Sequence, residues 1–322
     1  MLVRLFRSNQ PGVLIGLLGL VPLLFLRHLQ LPPVPPEASM PLQALLDVLF
    51  AAAPWTHGVV LLATICAISV QLIGVMGEAE LVERRNHLPA LLFPVLLAAL
   101  APPGSLGPAL FGMPFVLWSM RRTWTLTSGG GALRPLFDAG LLLGLAAQLY
   151  MPYSFLVVVV WASVSVVRPF SWREYLVPLL GLLLIFYLAW GSLTLAGAGV
   201  WYPLRTISRP APFTPKEGDP LPGVLGILLL AFLAISLYQF ARQYNRGVVR
   251  EQNLRSAFLA FVATLGVVIG SVSVLNNWYP PVLLAVPLSL LFTFALIGTR
   301  RAWLSELGGL ALLAMAIWKQ FG

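Results

Sequence analysis

Apolar runs of about 16 to 24 residues follow one another along this chain, and short polar segments separate them. In lipid, every backbone polar group must be paired within the chain, so only helices or a closed barrel can cross a membrane. Barrel strands would alternate polar and apolar residues over about ten positions, and these runs do not alternate. The sequence therefore predicts an all-α fold, a polytopic bundle of transmembrane helices.

The bulk composition agrees with a protein whose solvent is lipid. Of the 322 residues, 59% are hydrophobic and only 10% are charged, and the mean hydropathy is +0.88. A soluble domain carries about 25% charged residues, because a large part of its surface must stay wet. The composition therefore argues against a soluble globular fold.

The apolar pattern predicts eleven spans and one further helix on the membrane surface. That surface helix follows the first span, where Leu42, Leu45, Leu46 and Leu49 recur at helical spacing. The spans are predicted at 12–27, 56–77, 88–102, 106–120, 136–151, 153–167, 174–197, 222–240, 256–275, 280–298 and 303–318.

The basic residues predict the orientation of these spans. With the N-terminus in the cytoplasm, 15 of the 20 Lys and Arg residues fall in inside segments and 5 fall outside, as the positive-inside rule requires. The net charge of +9 comes from these clusters, so it indicates topology, and no nucleic-acid partner is expected. The chain is predicted to be a multi-pass protein of the bacterial inner (cytoplasmic) membrane, N-terminus in and C-terminus out.

Residues 1–322 are predicted to form a single integral membrane domain. Residues 1–197 form a module with the first outward loop and two short hairpins, and 198–322 add a second outward loop and four spans. The four spans between 88 and 167 are short, about 22 Å each against a hydrocarbon thickness of about 30 Å. Such hairpins are expected to thin the bilayer or to line a cavity.

Two isolated acids after the first span, Glu37 and Asp47, are the candidate catalytic residues. An outward carboxylate beside a membrane-surface helix can act as a general base in a reaction on a lipid-linked substrate. The alternative is that both are solvated loop charges.

Arg205 and Arg209 lie in the second outward loop and are candidates for binding a phosphate or lipid headgroup. Arginine suits this task because its guanidinium binds phosphate oxygens in bidentate fashion. The alternative is again a solvated loop.

Two acids within predicted spans, Asp138 and Glu306, are interpreted as structural. Asp138 is expected in a first helical turn, where an acid suits the helix dipole, or in contact with Arg134. Glu306 can extend toward the interface or pair with Arg301. Polar residues such as Gln148 are expected to form interhelical or turn hydrogen bonds.

The metal-binding residue types are sparse. Cys66 is the single cysteine, and the three histidines (His28, His57 and His87) are far apart without ligand spacing. The residues themselves therefore predict no metal site and no cofactor.

Four blocks of the sequence carry a family resemblance. LFRSNQPG, ELVERRNHLPALLFPVLLAAL, RPLFDAGLLLGLAA and RPFSWREYLVPLLGL, within residues 1–185, resemble a family of uncharacterised multi-pass inner-membrane proteins common in Bacteroidota. Some members carry a carotenoid-cleaving oxygenase label. That activity needs iron held by several histidines, which three scattered histidines do not supply.

The predicted architecture is also similar to the membrane module of GT-C glycosyltransferases. Both have an outward loop with a surface helix after the first span, two short hairpins and a longer seventh span. This resemblance implies a polyprenyl-phosphate-linked substrate, a catalytic acid in the first outward loop, where Glu37 and Asp47 stand, and a divalent metal. The isolated acids here depart from the paired acidic motif of those enzymes.

We therefore expect a multi-pass inner-membrane protein of envelope biogenesis, GT-C-like, that handles a polyprenyl-phosphate-linked or other lipid-linked substrate at the outer leaflet. Two alternatives are a non-catalytic scaffold subunit of an envelope membrane complex and a transporter or flippase for an amphipathic molecule. The expected partners are membrane lipid, a polyprenyl-phosphate lipid and, for the scaffold, another membrane protein. No relay of intramembrane acids is visible, which argues against ion-coupled transport.

Overall fold

A computed structural model describes residues 6, 12–30, 40–78, 86–126, 131–197, 221–276, 278–298 and 302–321. All regular structure in these residues is helical, with no strand, so the all-α prediction is confirmed. The helices are α1 (Val13–Gln30), α2 (Pro41–Ala52), α3 (Trp55–Glu78), α4 (Leu88–Leu100), α5 (Pro108–Trp124), α6 (Leu133–Ala147), a 3-10 helix (Met151–Leu156), α7 (Val157–Val167), α8 (Trp172–Leu195), α9 (Leu221–Tyr244), α10 (Val249–Asn276), α11 (Val282–Gly298) and α12 (Ala302–Phe321).

The helices are of two kinds in length and composition. Four are long and apolar enough to cross a membrane: Trp55–Glu78, Trp172–Leu195, Gly223–Tyr244 and Val249–Asn276. Five shorter apolar segments accompany them: Ile15–Gln30, Pro41–Ala52, Leu88–Leu100, Met151–Val167 and Val282–Gly298. The fold is thus a helix bundle compatible with a membrane, while the count of eleven spans stays a prediction.

Helix α4 lies at the centre of the bundle. It packs against α1, α3, α11 and α12, and every residue from Leu88 to Ala99 is buried. Its sequence, LPALLFPVLLAAL, has no polar stripe, and a helix that is apolar on all sides belongs in an interior. Because protein surrounds α4, its apolar side chains do not face lipid. The short length of this helix therefore need not match the thickness of the bilayer.

The pair α6 and α8 is held by close backbone contact. Glycines stand where the two helices meet: a Cβ atom on Gly140 would overlap the Pro178 carbonyl, and one on Gly181 would lie 2.6 Å from the Phe137 carbonyl oxygen. A Cβ on Gly144 would lie 2.8 Å from the side chain of Ile185. Small residues that let backbones approach are typical of helix packing in membranes.

The outward faces of the long helices remain apolar. Large hydrophobic side chains such as Leu180 and Leu188 of α8 and Ile227 and Leu230 of α9 are more than half exposed. A soluble monomer rarely exposes contiguous apolar surface on this scale. The pattern fits faces that lipid chains cover.

Contacts between helix ends fall into two sets, which we call the outer end and the inner end after the predicted orientation. The outer end contains Arg27, His28, Gln43, Gly104, Gln148 and Gln320. The inner end contains Phe6, Glu78, His87, Arg121, Val166, Arg168, Glu174 and Asn253.

Candidate functional site

A helix, α2, is present where the sequence predicts one after the first span, and its first turn rests on the end of α6. The backbone nitrogen of Gln43 donates to the backbone carbonyl of Gln148, 3.4 Å away. Pro41 is the first residue of α2, where its fixed φ suits a helix start and its missing N–H costs nothing. The contact brings α2 and the segment that follows α6 together at the outer end.

Asp47 of α2 is held in place by a neighbour on its own helix. The Gln43 side chain lies one turn earlier, and its Nε2 donates to Asp47 Oδ1 at 2.6 Å. The carboxylate is half-buried, and it lies close enough to His57, in the first turn of α3, for an electrostatic interaction. Of the two predicted catalytic acids, Asp47 is therefore the one for which the structure gives a position and a partner.

Four polar atoms beside this contact are buried and have no hydrogen-bond partner. They are Gln43 Oε1, both side-chain polar atoms of Gln148, and the Tyr150 hydroxyl. Gln43 and Gln148 are each 3% exposed and Tyr150 is 6% exposed. An unsatisfied buried polar group costs about 1–3 kcal/mol, and native structures contain few of them. These three residues make the junction of α2 with the segment after α6 the candidate site for a polar ligand.

Gln148 forms the predicted interhelical and turn hydrogen bonds through its backbone and not through its side chain. Helix α6 ends at Ala147, and the backbone nitrogen of Gln148 donates to the Gly144 carbonyl in the last turn. The backbone carbonyl of Gln148 forms the interhelical bond to Gln43, which leaves its side-chain amide unpartnered. The sequence signal for this site was a glutamine immediately after an apolar helix, two residues before a tyrosine.

Aromatic rings wall the site on the side of α5. Phe50 of α2 packs edge-on against His57, with ring centroids 5.1 Å apart, and also contacts Phe111 at 5.8 Å. Tyr150 lies edge-on to Tyr153 at 5.2 Å, and the Tyr153 hydroxyl donates to the Ala109 carbonyl of α5. The two aromatic groups therefore meet at the beginning of α5.

The site offers one carboxylate, neutral amide and phenol groups, and aromatic faces. These groups donate and accept hydrogen bonds without adding positive charge. No set of three potential metal ligands occurs anywhere in the part of the chain that the structure describes. The described residues at this site thus do not fit the divalent metal that the GT-C resemblance implies.

Three of the predicted site residues, Glu37, Arg205 and Arg209, lie outside the described residues. They stay predictions.

The two acids interpreted as structural are both half-buried. Asp138 is in the second turn of α6, because this helix begins at Leu133; the expected first-turn position was therefore wrong. The structure shows no ion pair between Asp138 and Arg134, both of which it describes. Glu306 lies about one turn into α12, as predicted, and Arg301 is outside the described residues.

Comparison with known proteins gives no relative from which a role for these residues could be taken. The chain matches no protein-family model, no curated protein and no solved structure.

Proposed function

We propose that this protein is a multi-pass inner-membrane enzyme of envelope biogenesis, of the GT-C-like glycosyltransferase type. Its substrate is a polyprenyl-phosphate-linked sugar or another lipid-linked donor, reached from the outer leaflet. The observation that carries the proposal is the Asp47 carboxylate, fixed by Gln43 beside the unpartnered amide of Gln148. A held base next to unsatisfied polar groups is the arrangement that a group-transfer site needs.

Each residue has a role in the proposed reaction. Asp47, with Glu37 as the second candidate, accepts the proton of an attacking hydroxyl group. The oxygen of that hydroxyl forms a bond to the anomeric carbon of the donor as the bond from this carbon to the phosphate oxygen breaks. The leaving phosphate takes the electron pair, and Arg205 and Arg209 bind its charge.

The amides of Gln43 and Gln148 and the Tyr150 hydroxyl bind the polar part of the substrate. Ligand hydroxyl groups would form hydrogen bonds with atoms that have no partner in the protein alone. Binding would therefore remove the free-energy cost of burying these atoms unpaired. The aromatic wall of Phe50 and Phe111 supplies apolar contact for ring faces.

The centre of the bundle gives the transporter alternative no support. Helix α4 is buried and apolar along its described length, so it offers no polar path between the two ends. The scaffold alternative is separated from the enzyme by experiment, because a scaffold does not need the Asp47 carboxylate.

The test is genetic complementation combined with transfer of a labelled sugar from a polyprenyl phosphate in membranes. Asp47→Asn and Glu37→Gln remove each candidate base without changing side-chain size, and Asp138→Asn is the matched control on α6. We expect loss of activity, by a factor of about 10² or more, in at least one of the first two variants and none in the control. If both variants keep full activity and complementation, the enzymatic proposal is wrong and the scaffold is favoured.

A further inference from the structure

The four unpartnered polar atoms at the junction of α2 with the segment after α6 differ in the hydrogen bonds that they can form. Gln43 Oε1 and Gln148 Oε1 only accept, Gln148 Nε2 only donates, and the Tyr150 hydroxyl does both. The orientation of the Gln43 amide is fixed, because its nitrogen is the atom that faces the Asp47 carboxylate at 2.6 Å. A ligand that partners all four atoms must therefore both donate and accept hydrogen bonds.

Neighbouring hydroxyl groups meet this requirement, and simple ions do not. A phosphate or carboxylate group only accepts hydrogen bonds, so it would leave both glutamine oxygens without a partner. An ammonium group only donates, so it would leave Gln148 Nε2 without a partner. Each hydroxyl group of a sugar both donates and accepts. Two adjacent hydroxyl groups can bind the oxygen and the nitrogen of the Gln148 amide together, because these two atoms lie side by side in one plane.

The charge at this junction also favours an uncharged ligand. Asp47 brings a carboxylate, and no Lys or Arg side chain of the described residues contacts Asp47 or the three polar residues beside it. The arginine described at the outer end, Arg27, donates from Nη1 to the Gln320 backbone carbonyl of α12 at 3.2 Å. Burying an anion without a cationic partner is costly. An anionic headgroup is therefore disfavoured beside Asp47.

Helix α2, which docks on the segment after α6 at this junction, has its apolar side facing away from the protein. Gln43 and Phe50 are buried, whereas Leu45 and Val48, on the opposite side of the helix, are 67% and 69% exposed. A helix that faces water has the reverse arrangement, with its polar side chains outward. The outer face of α2 therefore fits a lipid environment, and a ligand bound beneath this helix is within reach of the surrounding lipid.

We infer that the acceptor in the proposed reaction is an uncharged sugar carried on a lipid. Two adjacent hydroxyl groups of this sugar bind the Gln148 amide, and others bind Gln43 Oε1 and the Tyr150 hydroxyl. The attacking hydroxyl group faces Asp47. Its proton passes to the Asp47 carboxylate as its oxygen bonds to the anomeric carbon of the donor, and the donor phosphate leaves with the electron pair. The inference rests on the proposed function, because it names the second substrate of the same site.

The test measures binding apart from catalysis, on the full chain purified in a neutral detergent and without a sugar donor. Native mass spectrometry follows the titration of each probe. Glucosyl-diacylglycerol and galactosyl-diacylglycerol are the neutral glycolipids. Glucuronosyl-diacylglycerol of the same acyl chains adds a carboxylate, phosphatidylethanolamine replaces the sugar with an ammonium headgroup, and free glucose lacks the lipid.

Two variants remove hydrogen-bonding atoms at the site, and each has a matched control elsewhere. Gln148→Leu removes both atoms of the amide, and Gln71→Leu is its control, because Gln71 of α3 also has a buried amide oxygen without a partner. Tyr150→Phe removes only the hydroxyl group, and its control is Tyr238→Phe, at an exposed position of α9.

We expect a neutral glycolipid to be retained more tightly than the other three probes. Gln148→Leu should weaken its binding by about tenfold or more and Tyr150→Phe by about fivefold, as the loss of neutral hydrogen bonds predicts, while both controls keep the original affinity. The inference is overturned if neither neutral glycolipid binds, if the glucuronosyl lipid, phosphatidylethanolamine or free glucose binds as tightly, or if Gln148→Leu and Gln71→Leu lose the same affinity.

The binding measurement and the activity measurement separate this inference from the proposed function. If sugar transfer depends on Asp47 but Gln148→Leu leaves glycolipid binding unchanged, the assignment of the acceptor is wrong and the enzyme stands. If Gln148→Leu loses glycolipid binding while Asp47→Asn and Glu37→Gln keep full activity, the glycolipid site stands and the enzymatic function is wrong.

Discussion

The backbone of Gly140 in α6 lies so close to Pro178 of α8 that residue 140 has no room for a Cβ atom. Gly181 repeats the arrangement from the other helix, because a Cβ there would lie 2.6 Å from the Phe137 carbonyl oxygen. Both obstacles are backbone carbonyls, which cannot rotate away as a side chain can. The distance between α6 and α8 is therefore set by two glycines.

Gly140→Ala should force α6 and α8 apart. We expect it to lower the free energy of unfolding by about 2 kcal/mol or more, because overpacking against backbone forces the helices to shift. Thermal unfolding in detergent measures the change. Gly191→Ala is the matched control on α8, since a Cβ at that position meets nothing within 4 Å; it should leave stability unchanged or raise it slightly. A Gly140→Ala protein as stable as the Gly191→Ala protein would contradict this account of the packing.

Gln148→Leu should stabilise the protein and abolish its function. The substitution removes two buried polar atoms that have no partner and retains a side chain of similar size, so we expect a gain of about 1 kcal/mol. Thermal unfolding and complementation are measured on the same variant. This opposition of stability and activity is typical of a residue kept for ligand binding.

The control for Gln148→Leu is Gln71→Leu, within α3 and outside the site. Gln71 Oε1 is also buried without a partner, but Gln71 has no proposed role, so activity should be retained. If the Gln148→Leu protein keeps normal activity, the unpartnered amide is not needed for function.

Glu78 and Arg121 should show coupling in a double-mutant cycle. The Arg121 guanidinium donates to both carboxylate oxygens of Glu78 and so joins the end of α3 to α5. Gly74 leaves room for this guanidinium, because a Cβ atom at residue 74 would lie 2.9 Å from the guanidinium carbon. Because both side chains are about one-third exposed, we expect only about 0.5–1 kcal/mol of coupling. Thermal unfolding of Glu78→Gln, Arg121→Gln and the double variant gives the value, and Arg122→Gln, at an exposed neighbouring position, should not couple to Glu78→Gln.

His87 should make the protein less stable as the pH falls. It precedes α4 at the inner end, its backbone nitrogen donates to the Phe6 carbonyl at 2.9 Å, and burial lowers the pKa of its imidazole below the ordinary value of 6.5. The unfolded chain then takes up a proton at a higher pH than the folded protein does. The contribution of His87 is thus fully present above pH 6.5 and is lost as the pH falls below that value.

The pH effect is measured from thermal unfolding at a pH about one unit above and one unit below the ordinary histidine pKa. His87→Phe keeps a buried ring that cannot be protonated, so the drop in unfolding temperature should be smaller in this variant. The same drop in both proteins would assign the effect to His28, His57 or the carboxylates instead.

Much of the fold follows from periodicity in the sequence. The spacing of Leu42, Leu45, Leu46 and Leu49 predicts a helix after the first span, and the structure has one over Pro41–Ala52. The start of the short fourth helix at Leu88 was also predicted. These features can be predicted from a short stretch of sequence, because residues on one face of a helix recur at every turn and meet the same surroundings.

Sequence reasoning missed one local feature and two that depend on residues far apart in the chain. The segment after Met151 was expected to be part of one helix from residue 153, but Met151–Leu156 is a 3-10 helix that leads into α7. Glu78 at the end of α3 pairs with Arg121 of α5, which is 43 residues further along the chain. In the same way, the unpartnered amide of Gln148 results from how α2 docks on α6, which no local pattern encodes.

The central position of α4 determines when the protein can finish folding in the membrane. During synthesis, α4 leaves the ribosome well before α11 and α12, the helices that cover two of its flanks. Until α11 and α12 insert, lipid or an insertase must occupy those flanks. The interior around α4 therefore closes only after α11 and α12 have been made, and a truncation that removes them should destabilise the helices that precede them and expose the nascent protein to membrane proteases.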